Sequence, residues 1–157
     1  MKSVLTGLFV LSAILISCGK TTPDSNNCND VAPSSEDSTM LAFCKKDTIT
    51  ATKDPNGLYY QIIAPGTGTT PTITSKITVT YTGYLLNGTI FDQENAPQTF
   101  PLAGVIPGWQ LGIPYIKSGG HIKLVIPSAY AYGCVGAAPS IPPNSILYFD
   151  IQLVNVQ

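Results

Sequence analysis

Arginine is absent from this 157-residue chain, so all eight of its positive charges are lysines. Histidine and tryptophan occur once each, as His121 and Trp109. Charged residues make up only 11% of the sequence, and the formal net charge is −1. From Thr52 onward, Lys53, Lys76, Lys117 and Lys123 are balanced by Asp54, Asp92, Glu94 and Asp150. That balance leaves no electrostatic footprint for nucleic acid. One histidine excludes a multi-histidine metal site and argues against a Ser/His/Asp triad. It falls on the polar face of its strand beside Lys123, where solvent exposure is expected. No Cys-x-x-Cys is present, and neither 66-GTG-68 nor 119-GG-120 leads into a helix with a lysine, so no phosphate loop is indicated. No metal or cofactor is expected. A partner has to be held by apolar contacts and hydrogen bonds.

What the chain does contain begins with a leader. Lys2 supplies a positive start, and Val4 to Ile16 is an apolar run too short to span a bilayer comfortably. The run ends at 15-LISC-18, which resembles a bacterial lipobox. Residues 1–17 then read as a signal peptide and Cys18 as the lipidated residue, which anchors the chain to the cell envelope. Residues 18–51 read as a lipidated tether. Its start, 19-GKTTPDSNNCND-30, is polar and aperiodic. Within it, 34-SSEDSTMLAFCKK-46 predicts a short helix, with Met40, Leu41 and Cys44 at helical spacing. Ser34 or Ser35 serves as cap, and its early acids and late lysines suit the helix dipole. An exported chain meets an oxidising compartment. Cys28 and Cys44 are close in sequence and form the candidate disulfide, which leaves Cys134 as a loop thiol. The alternative is that all three are small apolar residues.

Residues 52–157 form the main domain, and the signal there is β. Segment 58-LYYQII-63 is a strand candidate. In 76-KITVTYTGYLL-86, Ile77, Val79, Tyr81 and Leu85 share one face, with Lys76 and threonines on the other. A tight turn at 87-NG-88 leads to a short strand around 89-TIF-91. Segments 121-HIKLVI-126 and 146-ILYFDIQLV-154 alternate again. Only 106-IPGWQLGIPYI-116 has helical character, and its prolines and glycines keep that helix short. The expected architecture is α+β, a small antiparallel sheet wrapped on one short helix.

The chemistry-bearing residues are aromatics near turns. Tyr81, Phe91, Trp109, Tyr132 and Phe149 are candidate pocket residues because Asp92 and a glycine-rich loop adjoin two of them. The blocks 79-VTYTGYLLNGTIFD-92, 105-VIPGWQLGI-113, 123-KLVIPSAYAYG-133 and 141-IPPNSILYFDIQLV-154 together resemble an FKBP-type peptidyl-prolyl cis–trans isomerase over residues 58–157. The resemblance implies a bent antiparallel sheet around a short helix. It also implies an aromatic pocket that binds Xaa-Pro segments and proline-pocket macrolides. Tyr81, Asp92, Tyr132 and Phe149 would be its catalytic residues. Phe91, Val105, Ile106, Trp109 and Ile141 would bind substrate, with Trp109 as floor. The Ile106 N–H and the Tyr132 hydroxyl would meet substrate carbonyls.

The chain departs from the family pattern in several places. The loop between Asp92 and Val105 is several residues short. No arginine is available to pair with the pocket aspartate, so the Tyr132 hydroxyl is the candidate partner of Asp92. Phe100 is the candidate for an aromatic of the bulged strand, and 134-CVGAAPS-140 keeps the family's length with its own sequence. Two other readings compete with the isomerase. One is a binding chaperone module that uses the same pocket, and the other is a structural lipoprotein whose aromatics are all core. With no second domain to dimerise through, a monomer is expected.

Overall fold

The alternating segments of the sequence become strands of one sheet in a computed structural model that describes residues 28–157. The leader, residues 1–17, and Cys18 lie outside the described residues. Helix α1 spans Pro33–Lys46. The strands are β1 (Thr52–Lys53), β2 (Tyr59–Ala64), β3 (Lys76–Leu85), β4 (Ile90–Pro101), β5 (Gly120–Ile126) and β6 (Leu147–Val156). Helix α2, Pro107–Gly112, lies between β4 and β5. The strand order is β1-β2-β5-β6-β3-β4, and every pairing is antiparallel.

Alternation in the sequence predicts the core correctly. Ile77 and Val79 of β3, Ile122, Leu124 and Ile126 of β5, and Leu147, Phe149, Ile151 and Leu153 of β6 are buried together. They close around Trp109, Ile113 and Ile116 in and after α2. Each fully buried Leu or Ile contributes about 1.5–3 kcal/mol relative to exposure. The sheet wraps α2, and two glycines make the contact close. A Cβ at Gly112 would fall 2.7 and 2.8 Å from the Leu124 methyl carbons, and one at Gly108 would press on Ile126. These residues stand at i and i+4, on one side of the helix. The glycines of 105-VIPGWQLGIP-114 therefore set how near the helix lies to the sheet.

The other side of the sheet is covered too. Met40 and Cys44 of α1 pack with Ile49, Tyr59 and Val125 in a second cluster. Val125 and Tyr59 alternate with core residues along their strands, so they point to the opposite face. Leu41, expected on the same stripe, is 40% exposed. Neither Ser34 nor Ser35 caps α1. Ala32 is the N-cap and makes no side-chain bond, while Pro33 occupies the first turn, where its missing N–H costs nothing.

Three further expectations are corrected. The strand after the Asn-Gly turn runs for 12 residues, not three. It is an edge strand paired only with β3, so it shows no clean alternation. Cys28 is bonded to Cys134, not to Cys44. Cys44 is a buried free thiol on the sheet-facing side of α1, while Cys28 precedes that helix and meets the loop after β5. His121 is only part-exposed because its Nε2 pairs with the Asp150 carboxylate across β5 and β6.

Candidate active site

The end of the sheet nearest α2 carries the aromatics. Trp109 meets Tyr81 and Phe149 nearly edge to face. The Tyr81–Trp109 centroids lie 5.0 Å apart at 86°, and Trp109–Phe149 lie 5.3 Å apart at 82°. Phe91 adds a second edge on Phe149 at 5.5 Å and 89°. Such perpendicular contacts suit ring quadrupoles. Gly83 permits this packing, since a Cβ there would lie 2.6 Å from Phe91 Cζ and 2.9 Å from Phe149 Cε1.

The rings line a cavity of about 320 Å³ together with Asp92, Phe100, Gly104, Val105, Ile106 and Tyr132. Trp109 and Phe149 are 4% and 3% exposed, so floor and wall belong to the core, whereas Tyr132 is 40% exposed at the rim. Eight of the nine residues expected at the site are brought together. Ile141 is not among the lining side chains. It is 5% exposed within the core cluster. Its backbone instead exchanges two 2.8 Å hydrogen bonds with Ala137, closing the loop between β5 and β6.

The Asp92 carboxylate accepts a 2.6 Å hydrogen bond from the Tyr81 hydroxyl. Tyr81, not the expected Tyr132, is thus the partner of Asp92. The strand register explains this. Gly83 faces Asp92 across β3 and β4, so Tyr81 and Asp92 are diagonal neighbours. Burial first, and then the bond to Asp92, hold the Tyr81 phenol well above the ordinary tyrosine value. Burial and the Asp92 charge also raise Tyr132. Both hydroxyls therefore stay protonated at neutral pH and remain hydrogen-bond donors.

The stretch 105–106 is pinned from below. Gln110 Nε2 donates to the Val105 carbonyl at 2.7 Å. The Ile106 carbonyl receives the Trp109 and Gln110 N–H groups, while its own N–H makes no hydrogen bond among the described residues. The Trp109 indole N–H is buried and also lacks a partner among the described residues. Among the described residues no group of three or more His, Cys, Asp or Glu side chains is placed to hold a metal.

Sequence reasoning missed Gly83 and Gly104 and left the place of Phe100 open. Phe100 faces Ile77, and the register shifts between Val79 and Tyr81 carry β4 past its bulge. No residue-counting signal reveals that shift.

The chain spans less than half the length of two relatives that it matches. One is the FKBP-type peptidyl-prolyl cis-trans isomerase FkpA of Escherichia coli (strain K12), 47% identical over 104 residues, which cover 64% of this chain and 38% of that protein. The other is the peptidyl-prolyl cis-trans isomerase Mip of Coxiella burnetii, 41% identical over 105 residues, or 65% of this chain and 46% of that protein. The crystal structure of FkpA from Escherichia coli superposes with TM-score 0.70 at 38% identity, covering 80% of this chain and 61% of that one. A peptidyl-prolyl cis-trans isomerase from Pseudomonas syringae gives 0.69 at 32%, covering 83% of this chain and 99% of that one. A family model for FKBP-type peptidyl-prolyl cis-trans isomerases matches residues 67–154. With the antiparallel sheet, its short helix and the aromatic cavity already in place, these matches show that the chain belongs to the FKBP-type peptidyl-prolyl cis–trans isomerase family.

Proposed function

We propose that this chain accelerates rotation about Xaa-Pro peptide bonds in exported client proteins. The observation that carries this reading is the cavity itself, an aromatic box with the exposed Asp92 and Tyr132 in its lining. Rotation about a peptide C–N bond has a barrier of about 18–20 kcal/mol, because amide resonance must be broken. No nucleophile is required. A site accelerates rotation by binding the twisted amide better than either planar isomer. In the twisted state the carbonyl oxygen sheds negative charge and the nitrogen becomes amine-like. Aromatic walls favour that less polar species and exclude water from the planar one. Each tenfold acceleration needs about 1.4 kcal/mol of such discrimination.

In this reading the proline ring rests on Trp109, walled by Tyr81, Phe91, Val105, Ile106 and Phe149. The free Ile106 N–H and the Tyr132 hydroxyl receive the carbonyls flanking the bond. Asp92, its inner oxygen held by Tyr81, lies beside the rotating amide. Ile141 acts indirectly, by closing the loop that follows Tyr132. Macrolides that mimic the proline ring are candidate ligands of the same cavity. Residues 1–17 act as signal peptide and Cys18 carries the lipid, so the domain works on the envelope side of a membrane, as a monomer.

The test is refolding of a proline-limited substrate, or a short Xaa-Pro peptide assay, with the purified chain. Asp92→Ala should lower kcat/KM by roughly 10- to 100-fold, the equivalent of one hydrogen bond to a charged group. A folded wild-type chain that gives no acceleration overturns the enzymatic reading. Saturable quenching of Trp109 fluorescence by the peptide would then identify a binding module. Intact mass of the mature chain with and without Cys18→Ser tests the anchor.

A further inference from the structure

Tyr132 is the least buried of the aromatics in the cavity, and residues 28–36, the segment before α1 with its first turn, hold its loop. Three contacts join them. Cys28 is disulfide-bonded to Cys134. Asp30 Oδ1 accepts the Cys134 N–H at 2.8 Å. Glu36 Oε2, in the first turn of α1, accepts the Ser128 N–H at 2.7 Å from a buried position. These anchors bracket Tyr132 on both sides, at residues 128 and 134. Between them the Gly133 N–H closes the loop onto the Ser128 carbonyl at 2.9 Å, and just beyond them the Gly136 N–H reaches back to the Tyr132 carbonyl at 3.0 Å.

The approach of Asp30 is closely fitted. Gly133 has φ +57, and a Cβ there would lie 3.1 Å from Asp30 Cγ and closer still to Oδ1. Only glycine, next to Tyr132, admits the carboxylate. Tyr132 also stands between two cavities. It lines the aromatic pocket, and it lines a second cleft whose walls include Cys28, Asp30 and Cys134.

We propose that residues 28–36 form a strap whose Asp30 carboxylate and Cys28–Cys134 bridge are positioning groups for the Tyr132 hydroxyl, so that substrate recognition by the domain depends on the segment ahead of it. This rests on the isomerase reading for its kinetic part only. Asp30 and the bridge touch no substrate. They act by restricting where the Tyr132 ring can stand, which removes conformational freedom before the substrate arrives.

The experiment is a kinetic cycle on the full chain. Tyr132→Phe, Asp30→Ala and the double variant are assayed on an Xaa-Pro peptide. Each single change should lower kcat/KM by roughly two- to tenfold, the equivalent of one neutral hydrogen bond. If the strap places the hydroxyl, Tyr132→Phe should cost almost nothing further once Asp30 is alanine, and Asp30→Asn should restore most of the loss. Losses that multiply overturn the proposal, because a merely structural Asp30 would leave the Tyr132 effect intact. A paired Cys28→Ser/Cys134→Ser variant repeats the cycle without the bridge. If that variant does not fold, Asp30→Ala with the bridge intact decides. Amide hydrogen exchange gives a readout free of turnover. Faster exchange confined to residues 128–136 in Asp30→Ala, with β5 and β6 unchanged, supports the strap, and unchanged exchange overturns it. A wild-type chain without isomerase activity would refute the function while leaving that exchange result to judge the strap.

Discussion

Gly108→Ala adds one methyl at the tightest point between α2 and the sheet. Its carbon would fall 2.8 Å from Ile126 Cδ1 and 3.0 Å from Cγ1, and nearer still to Cγ2. Ordinary carbon contacts lie near 3.5–4.0 Å, so the helix must rise by something on the order of 1 Å, carrying the adjacent Trp109 with it. Overpacking of this kind costs about 1–3 kcal/mol. Alanine returns about 1 kcal/mol of helix propensity over glycine. The net change, about 0–2 kcal/mol of destabilisation, is too small a signal alone, so the sharper quantity is a coupling. Ile126→Ala removes the three opposing carbons and by itself costs about 2–5 kcal/mol as a cavity. In the double variant the new methyl enters that cavity, and the pair should be less damaging than the sum by at least about 1 kcal/mol. Urea denaturation followed through Trp109 fluorescence reads all four members of the cycle, because Trp109 is the only indole. Additivity within about 0.5 kcal/mol would show that Ile126 does not set the height of the helix, and the packing argument would fail.

Asp54 is 5% exposed and accepts hydrogen bonds from the Leu58 N–H at 2.7 Å and the Asn56 N–H at 3.0 Å. Asp54→Ala strands those donors and should cost about 1–3 kcal/mol in urea denaturation, and an unchanged midpoint would show that water replaces the carboxylate freely. Tyr81 and Tyr148 are both raised, chiefly by burial. Above about pH 10 the unfolded chain releases these protons while the folded one keeps them, so stability present below pH 10 falls as pH rises further. A flat midpoint between pH 9 and 11 would contradict this, and Tyr148→Phe should lessen the fall. The Cys28–Cys134 bridge spans a separation of 106 residues. In the chain-entropy model a loop of that size is worth about 4.7 kcal/mol, so dithiothreitol should lower the urea midpoint strongly, and an unmoved midpoint would mean that the reduced unfolded chain is already restricted.

The strands that bury a face were legible because their alternation is written residue by residue. Ile122, Leu124 and Ile126 needed no partner to be recognised. The features that escaped are those fixed by pairing between distant segments. Cys28 meets Cys134 because the start of α1 lies beside the loop after β5, and nothing local to either cysteine records that. Cys44 looked nearer in sequence, yet its helix turns it toward Tyr59 and Val125. The bond from Tyr81 to Asp92 depends on the register shift between Gly83 and Tyr84, which counting outward from the Asn-Gly turn cannot supply. His121 sits opposite Gln152, with Asp150 on the diagonal, so its partner appears only once β5 and β6 are paired. Edge strand β4, mostly exposed and holding Pro97 and Pro101, carries too little apolar pattern to be read at full length.

The site follows from the chain's shortage of charge. Its floor and walls, Trp109 and Phe149, are core residues that the sheet leaves uncovered at one end, so the cavity is the core opened to solvent. A core needs no reorganisation to receive an apolar ring, and this suits the proposed reaction, whose transition state is less polar than its ground state. It also means that floor substitutions act on stability and binding together, since truncating a buried aromatic costs about 3–5 kcal/mol. Rim residues are different. Asp92 and Tyr132 lie outside the buried core, and their removal leaves the packing of α2 against β5 intact. If the proposed activity holds, chemistry and stability can therefore be separated at the rim, where Asp92 is held by Tyr81. A Tyr81→Phe variant keeps the ring against Trp109 and removes only the hydroxyl, so any loss of turnover at unchanged stability measures what holding Asp92 contributes. Equal turnover would show that the carboxylate works without a fixed partner.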